Sequence, residues 1–303
     1  MATVFKVNPL PDGGHFCDSG KPAIAYDVLK RVGQHRIPST IDLSRCVHLK
    51  PYSVGCLCAL GLLGREDGTP IELVLPEDAG CASHLRRLGL AQFFEAEGED
   101  ADEDDDTRNT NLVARRVTKA WGQDARDIIE LLAEHTSLAA GELADMETNL
   151  SEVIANALSH SDSPIDCVVV GQCFPGTNKI EVCVVDLGQT IRGHLTKNPK
   201  YADLSTDKAA IEAAVTDGVT GTPAGQKNKL GEPNSGSGLT NLRTYCESGR
   251  GELTVLSGNS WISYREGHEP SSNHLRGGFR GCVVNIRYFA GFDLPEDAAQ
   301  PIL

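Results

Sequence analysis

Residues 95–106 contain nothing but Glu, Asp, Ala and Gly. A run this acidic is too polar and too self-repelling to join a packed core, so it reads as a disordered spacer. It divides the chain into an N-terminal segment, residues 1–94, a linker, 95–110, and a C-terminal segment, 111–303. With 303 residues, 40% of them hydrophobic, the chain is long enough for two cores of ordinary domain size. The formal net charge of -14 is concentrated in that spacer. Proteins that hold nucleic acid through phosphate contacts display clustered Lys and Arg instead, so a nucleic-acid partner is excluded. No run approaches the roughly 20 apolar residues of a membrane helix. Nor does the start show a basic region followed by an apolar stretch, so the expectation is a soluble, cytoplasmic chain without a membrane partner. Ten cysteines lie scattered through apolar runs, where a thiol packs as a small hydrophobe, and no pair has the spacing of a structural zinc site.

In the N-terminal segment, residues 40–43 read as a strand and 54–63 as an apolar helix ending at Gly64. Residues 71–75 follow as a buried strand and 82–90 as a second helix. Ser53 stands where a helix N-cap belongs. In the C-terminal segment, residues 111–140 carry Leu112, Val113, Val117, Trp121, Ile128 and Leu132 among charges and read as more than one helix. A helix over 146–159 comes next, then apolar strands at 167–170 and 180–185, joined by a turn holding Pro175 and Gly176. Residues 196–235 form a long polar stretch with at most one helix, near 208–215, of the length that lids and binding loops have. A helix over 239–247 and strands at 252–257, 260–264 and 282–288 complete the pattern. The fold class expected is a small α/β layer followed by an α/β sandwich on a mixed, mainly antiparallel sheet.

Three features carry chemistry. On the helix 146–159, Glu152, Asn156 and His160 lie four apart and therefore on one stripe, opposite a buried face of Leu150, Val153, Ile154, Ala157 and Leu158. A carboxamide oxygen can ligate a hard cation, and a carboxylate one turn earlier can orient or deprotonate a hydroxyl or water. Next, the strand 181–185 runs into Asp186-Leu187-Gly188, which puts a carboxylate at a strand end. A flat ring can lie there, with Asp186 accepting its amino group and Gly188 allowing close approach to the backbone. Finally, Gly236-Ser237-Gly238-Leu239 is a glycine-rich turn opening a helix, where N–H groups and the positive helix end attract phosphate.

The order and wording of these features resemble the GHKL superfamily of histidine kinases, type II topoisomerase ATPases, mismatch-repair ATPases, heat-shock chaperones and anti-sigma serine kinases. Residues 151–160 are similar to its N-box, closest to the serine-kinase form. Residues 185–191 are similar to the first glycine box, 236–242 to the second, and 281–286 to the closing strand. The resemblance covers roughly residues 111–289. It implies a nucleotide site for ATP and Mg2+, with Glu152 as catalytic base and Asn156 as metal ligand. Asn156, His160, Asp186, Gly188, Ile191, Gly236, Ser237, Gly238 and Leu239 would bind nucleotide, and 196–235 would be the lid. Thr190 departs from the usual small residue, which implies a tighter pocket floor or a lower affinity. Lys227, Lys229 and Arg243 are candidate γ-phosphate contacts. In the first segment, Ile41-Asp42-Leu43, Pro51-Tyr52-Ser53-Val54-Gly55, residues 71–75, Leu88-Gly89-Leu90 and Phe93-Phe94 resemble a STAS domain. Ser53 matches the phosphorylatable position there, although its flanks differ from the usual Asp-Ser-Ser-Gly.

No histidine shows a phosphoacceptor pattern, His135 included, and the sequence ends soon after Tyr288, short of a transducer domain. The reading that remains is a STAS-like module tethered to a serine-kinase-like ATPase. Such a chain transfers phosphate to a Ser/Thr hydroxyl or hydrolyses ATP, with another regulatory protein as partner and a homodimer left open. The alternative is a non-catalytic nucleotide-dependent interaction switch.

Overall fold

The computed structural model describes residues 4–6, 37–94, 112–118, 121–134, 136–222 and 238–289. The expectations for the acidic spacer, for His135 and for Lys227, Lys229, Gly236 and Ser237 lie outside those residues. The described chain is a mixed α/β structure with two sheets. In the smaller one, β1 (Val4–Lys6), β2 (Thr40–Asp42) and β3 (Glu72–Val74) pair in that order, all parallel. Two helices accompany it, α1 (Pro51–Glu66) and α2 (Ala79–Arg87).

The larger sheet contains β4 (Leu112–Val117), β5 (Cys167–Phe174), β6 (Lys179–Asp186), β7 (Gly251–Arg265) and β8 (Ser271–Phe289), in the order β4-β5-β6-β8-β7. Every pairing in it is antiparallel, so the parallel pairs of a mixed sheet occur only in the small one. Helices α3 (Trp121–Ala133) and α4 (Ala140–His160) precede and follow one another before β5. The remaining α-helices among the described residues are α5 (Ile191–Leu195), α6 (Asp207–Ala214) and α7 (Gly238–Tyr245). No helix among the described residues is long and apolar enough to cross a membrane.

Alternation along the central strands explains why they read as unbroken apolar runs. Val169, Ile180, Val182, Val184 and Ile286 point to one face, where they share a core with Ile128, Leu150, Val153 and Ile154 of α3 and α4. Val168, Val170, Cys183, Val185 and Val283 point to the other face, where they share a core with Val54, Leu57 and Leu60 of α1. An antiparallel sheet usually wets one face; here both are covered. The linker therefore separates the two segments in sequence, while in space they meet through one hydrophobic cluster. Helix α1 is apolar nearly all round, as burial on every side requires. It lies against the sheet at Gly55, where a Cβ would stand 3.0 Å from Val185 Cγ2 and 3.5 Å from Cys183 Sγ.

Four expectations change. Residues 112–117 form a strand rather than helix, paired with β5 from Leu112↔Gln172 to Val117↔Cys167. The strand expected as buried at 71–75 is an edge strand, with Glu72 and Val74 exposed. The strands expected separately at 252–257 and 260–264 are one continuous β7. Ser53 is not the N-cap of α1: Lys50 is, Pro51 takes the first helical position, and Ser53 is buried at 2% exposure inside the first turn. The nine described cysteines are all free thiols, and eight of them are buried.

Gly55→Leu should force α1 off the sheet and cost about 1–3 kcal/mol of stability in urea unfolding. Gly141→Ala, in the first turn of α4 where a Cβ meets nothing within 4 Å, should leave stability unchanged or raise it by up to about 1 kcal/mol. Equal midpoints for the Gly55→Leu and unsubstituted chains would mean that α1 is not held against β6.

Candidate functional site

Helix α4 starts where the Glu142 side chain accepts the Ala139 N–H at 2.9 Å, half of a capping arrangement. It then buries Met146, Leu150, Val153, Ile154 and Ala157 against the sheet. That docking turns the opposite edge, Glu152, Asn156 and His160, into the wall of a cavity. With a rise of about 1.5 Å per residue, the stripe runs about 12 Å from Glu152 to His160. Its two ends have different neighbours. At the Glu152 end lies Gly238, the first residue of α7, where a Cβ would come within 2.6 Å of Glu152 Oε2. At the His160 end the chain passes into Ser161 and Ser163, which meet the loop after β6: Leu187 N–H donates to Ser163 Oγ at 3.3 Å, and the Gln189 side-chain amide donates to the His160 carbonyl.

Asp186 ends β6, 3% exposed, and also lines the cavity. Its Oδ1 accepts the Gly188 N–H at 3.0 Å, and the Cys282 N–H also donates to its carboxyl group. Room for this comes from Gly281 on β8, held at φ 96°, where a Cβ would lie 2.8 Å from Asp186 Oδ1. Burial pushes the carboxyl up to about 7, against the opposite pull of those two N–H donors. Apolar and aliphatic walls complete the recess: Val153, Ala157, Val184, Ile191, Leu195 and Val284.

Of the residues expected at a nucleotide site, Glu152, Asn156, His160, Asp186, Ile191, Gly238 and Leu239 all line this one cavity. Glu152 is exposed and Asn156 half-buried. Gly188 does not line it. Its missing side chain serves a different contact, because a Cβ there would run into the Ser161 carbonyl and stand 2.8 Å from Ser163 N. The bare α-carbon lets the strand-end turn lie against the end of α4. Arg243 also departs from expectation. Its guanidinium pairs with Glu247 at 3.0 Å and lies over the Tyr264 ring at 4.8 Å, outside the cavity lining.

Thr190, read as an intrusion on the pocket floor, has a local job: its hydroxyl accepts the Gly193 N–H at 3.0 Å and caps α5. Some lining residues were not named individually by the sequence reading. His194 lies on a short helix with no periodic pattern to mark it, while Gln189 falls in the stretch read as the first glycine box and Thr220 and Gly221 in the stretch read as the lid without having been singled out. Ser257 was not named either, although its hydroxyl accepts the Ile191 N–H and donates to the Gly281 carbonyl, both at 2.9 Å, tying α5 to β8.

No protein-family model matches this chain, and no curated protein matches it.

The Asp186 carboxyl yields a signed pH dependence. An unfolded Asp titrates near 3.9. Between about pH 4 and about pH 7 the native state keeps a proton that the unfolded state has already lost, so the contribution of this group to stability falls as pH rises through that window and is flat above it. Asp186→Asn removes the titration. The melting temperature of the ligand-free variant, minus that of the parent, should therefore increase from pH 4 to pH 7; a difference independent of pH would show that Asp186 titrates normally.

Proposed function

We propose that this chain is a regulatory Mg-ATP-binding protein, with a GHKL-type ATPase domain over residues 111–303 and a STAS-like unit over 1–94. In this reading it transfers the γ-phosphoryl group to a Ser/Thr hydroxyl of another regulatory protein, or to water. One observation carries the reading. Glu152 and Asn156 on α4, Asp186 at the end of β6 and Gly238 at the start of α7 line a single cavity.

The chemistry of that cavity suits a nucleotide at both ends. Near Ser161 and Ser163, buried Asp186 offers an acceptor to the amino group of adenine, and Val153, Ala157, Val184 and Ile191 offer flat apolar contact to the ring. At the Glu152 end, the N-terminus of α7 supplies N–H groups and a positive dipole for phosphate. Asn156 and Glu152 are oxygen donors on successive turns, the donor type a hard cation takes. Two protein oxygens suit an ion that keeps water and phosphate oxygens as its other ligands. Bound magnesium would neutralise charge developing on the transferring phosphoryl group. Asn156 would hold the ion through its side-chain oxygen, and Glu152, exposed at the mouth, would take the proton of the attacking hydroxyl or water.

A second reading, a nucleotide-dependent interaction switch without turnover, draws on the rear of the same strand. Val185, next to Asp186, is the residue that Gly55 of α1 approaches most closely. Occupancy of the cavity and the seating of the N-terminal segment thus bear on the same strand end.

Mg-ATP at about 100 times Kd should stabilise the unsubstituted chain by about 2.7 kcal/mol, a shift of several degrees in melting temperature, and should barely move Asp186→Asn. Equal shifts would remove Asp186 from the site. With γ-labelled ATP, Glu152→Ala should lose about 100-fold or more of phosphate transfer or release while retaining binding; unchanged turnover would take the role of base from Glu152. Tight binding by the unsubstituted chain with neither transfer nor release would select the switch.

A further inference from the structure

His194 lies on α5, three residues after Ile191, and both line the cavity. Its ring stacks on that of His160, with centroids 4.4 Å apart and planes 30° from parallel. Gly221 packs against the same ring, since a Cβ there would come within 2.6 Å of His194 Nε2. The imidazole is thus held by contacts with the end of α4 and with the turn holding Thr220 and Gly221. Yet Nε2 is buried with no hydrogen-bond partner among the described residues. A ring so held, with one polar atom left over, is an arrangement that a native structure rarely keeps unless something else satisfies that atom.

Resting on the nucleotide reading above, we infer that His194 is a specificity-determining residue whose Nε2 hydrogen-bonds the nucleoside half of the bound nucleotide. The axis of α4 assigns the half. His160, and with it the stacked ring, stands about 12 Å along the helix from Glu152 and its neighbour Gly238, and beside the loop that follows Asp186. That is the base and ribose end of the cavity, too far from the start of α7 to serve the γ-phosphate. The charge state agrees. Burial, with His160 and Lys197 adding to it and Asp162 opposing, pushes His194 down to about 4. The ring is neutral at physiological pH, with one N–H and one lone pair, as reading a hydroxyl or a ring nitrogen requires.

The test compares ATP, ADP and adenosine, each competed against a labelled nucleotide on the full chain with magnesium. It uses the parent, His194→Phe, His194→Gln and Asp186→Asn. Phenylalanine keeps an aromatic ring on His160 and removes the nitrogen. One lost hydrogen bond predicts about 5- to 10-fold weaker binding, by the same factor for all three ligands, because all three contain the nucleoside. His194→Gln, which keeps an amide donor, should stay within about threefold of the parent. Comparing ATP with 2′-deoxy-ATP then locates the bond. A preference shown by the parent and lost in His194→Phe assigns the bond to the ribose 2′-hydroxyl, and an unchanged preference places it elsewhere on the nucleoside. Parental affinity in His194→Phe would overturn the inference, as would a loss seen with ATP and absent with adenosine, which would put the contact on the phosphates. Should His194→Phe fail to fold, His194→Gln decides, and a loss there beyond about tenfold overturns the inference. If Asp186→Asn loses ATP while His194→Phe does not, this inference alone fails. If the parent binds no Mg-ATP, the site reading fails with it.

Discussion

Burial of β6 on both faces is the constraint from which the rest of the structure follows. One face meets α3 and α4 and the other meets α1, so each residue from Ile180 to Asp186 is enclosed by side chains. A strand in that position cannot slip by one residue without exchanging its whole set of side chains between two different cores. Its register with β5 and β8 is therefore held, and its last residue arrives at one place. Asp186 is that residue, and α4, which packs on the same strand, arrives with it. The cavity exists because the sheet that carries the acid and the helix that carries Glu152 and Asn156 share one core.

Delivering a carboxylate to a buried strand end is expensive, and the loop chemistry around Asp186 consists largely of devices that offset the cost. Two backbone N–H groups, from Gly188 and Cys282, face the carboxyl group. Two glycines make the approach feasible: Gly281 opens space beside Asp186, and Gly188 lets the following turn lie flat on Ser161. Even so, desolvation outweighs the hydrogen bonds and lifts the acid to about 7. A group poised in that range is rare in a purely structural position and common where a ligand is read. The unfilled valence of His194, in the same recess, has the same character. Both are buried polar groups of residues that line the cavity.

Much of this was legible in the residues. The stripe of Glu152, Asn156 and His160, the apolar runs of β5 and β6 and the turn between them, and the carboxylate at the end of β6 all follow from spacing. Where the reading failed, the spacing was ambiguous. Val113 and Val117 lie four apart, which puts them on one face of a helix and equally on one face of a strand. Only the pairing of 112–117 with β5 separates the two. Ser53 shows the limit of a local rule: an N-cap needs its residue at the helix boundary, and Pro51 starts the helix before Ser53 is reached. Arg243 failed for a third reason. Proximity in sequence to a glycine turn says nothing about which way a helical side chain faces, and this one faces Glu247 and Tyr264.

The amino-acid order alone determined which residues of α4 face away from the core, where apolar strands run, and that an acid follows one of them. Each of these depends on neighbours within one or two turns, where backbone periodicity dictates direction. Tertiary structure alone decided that α1 covers the rear of β6 across the acidic spacer, that the glycine at 188 answers to a carbonyl at 161, and that His194 lies on His160. Those outcomes come from packing between elements far apart in the chain, and no local period records which distant surface will fill a given gap.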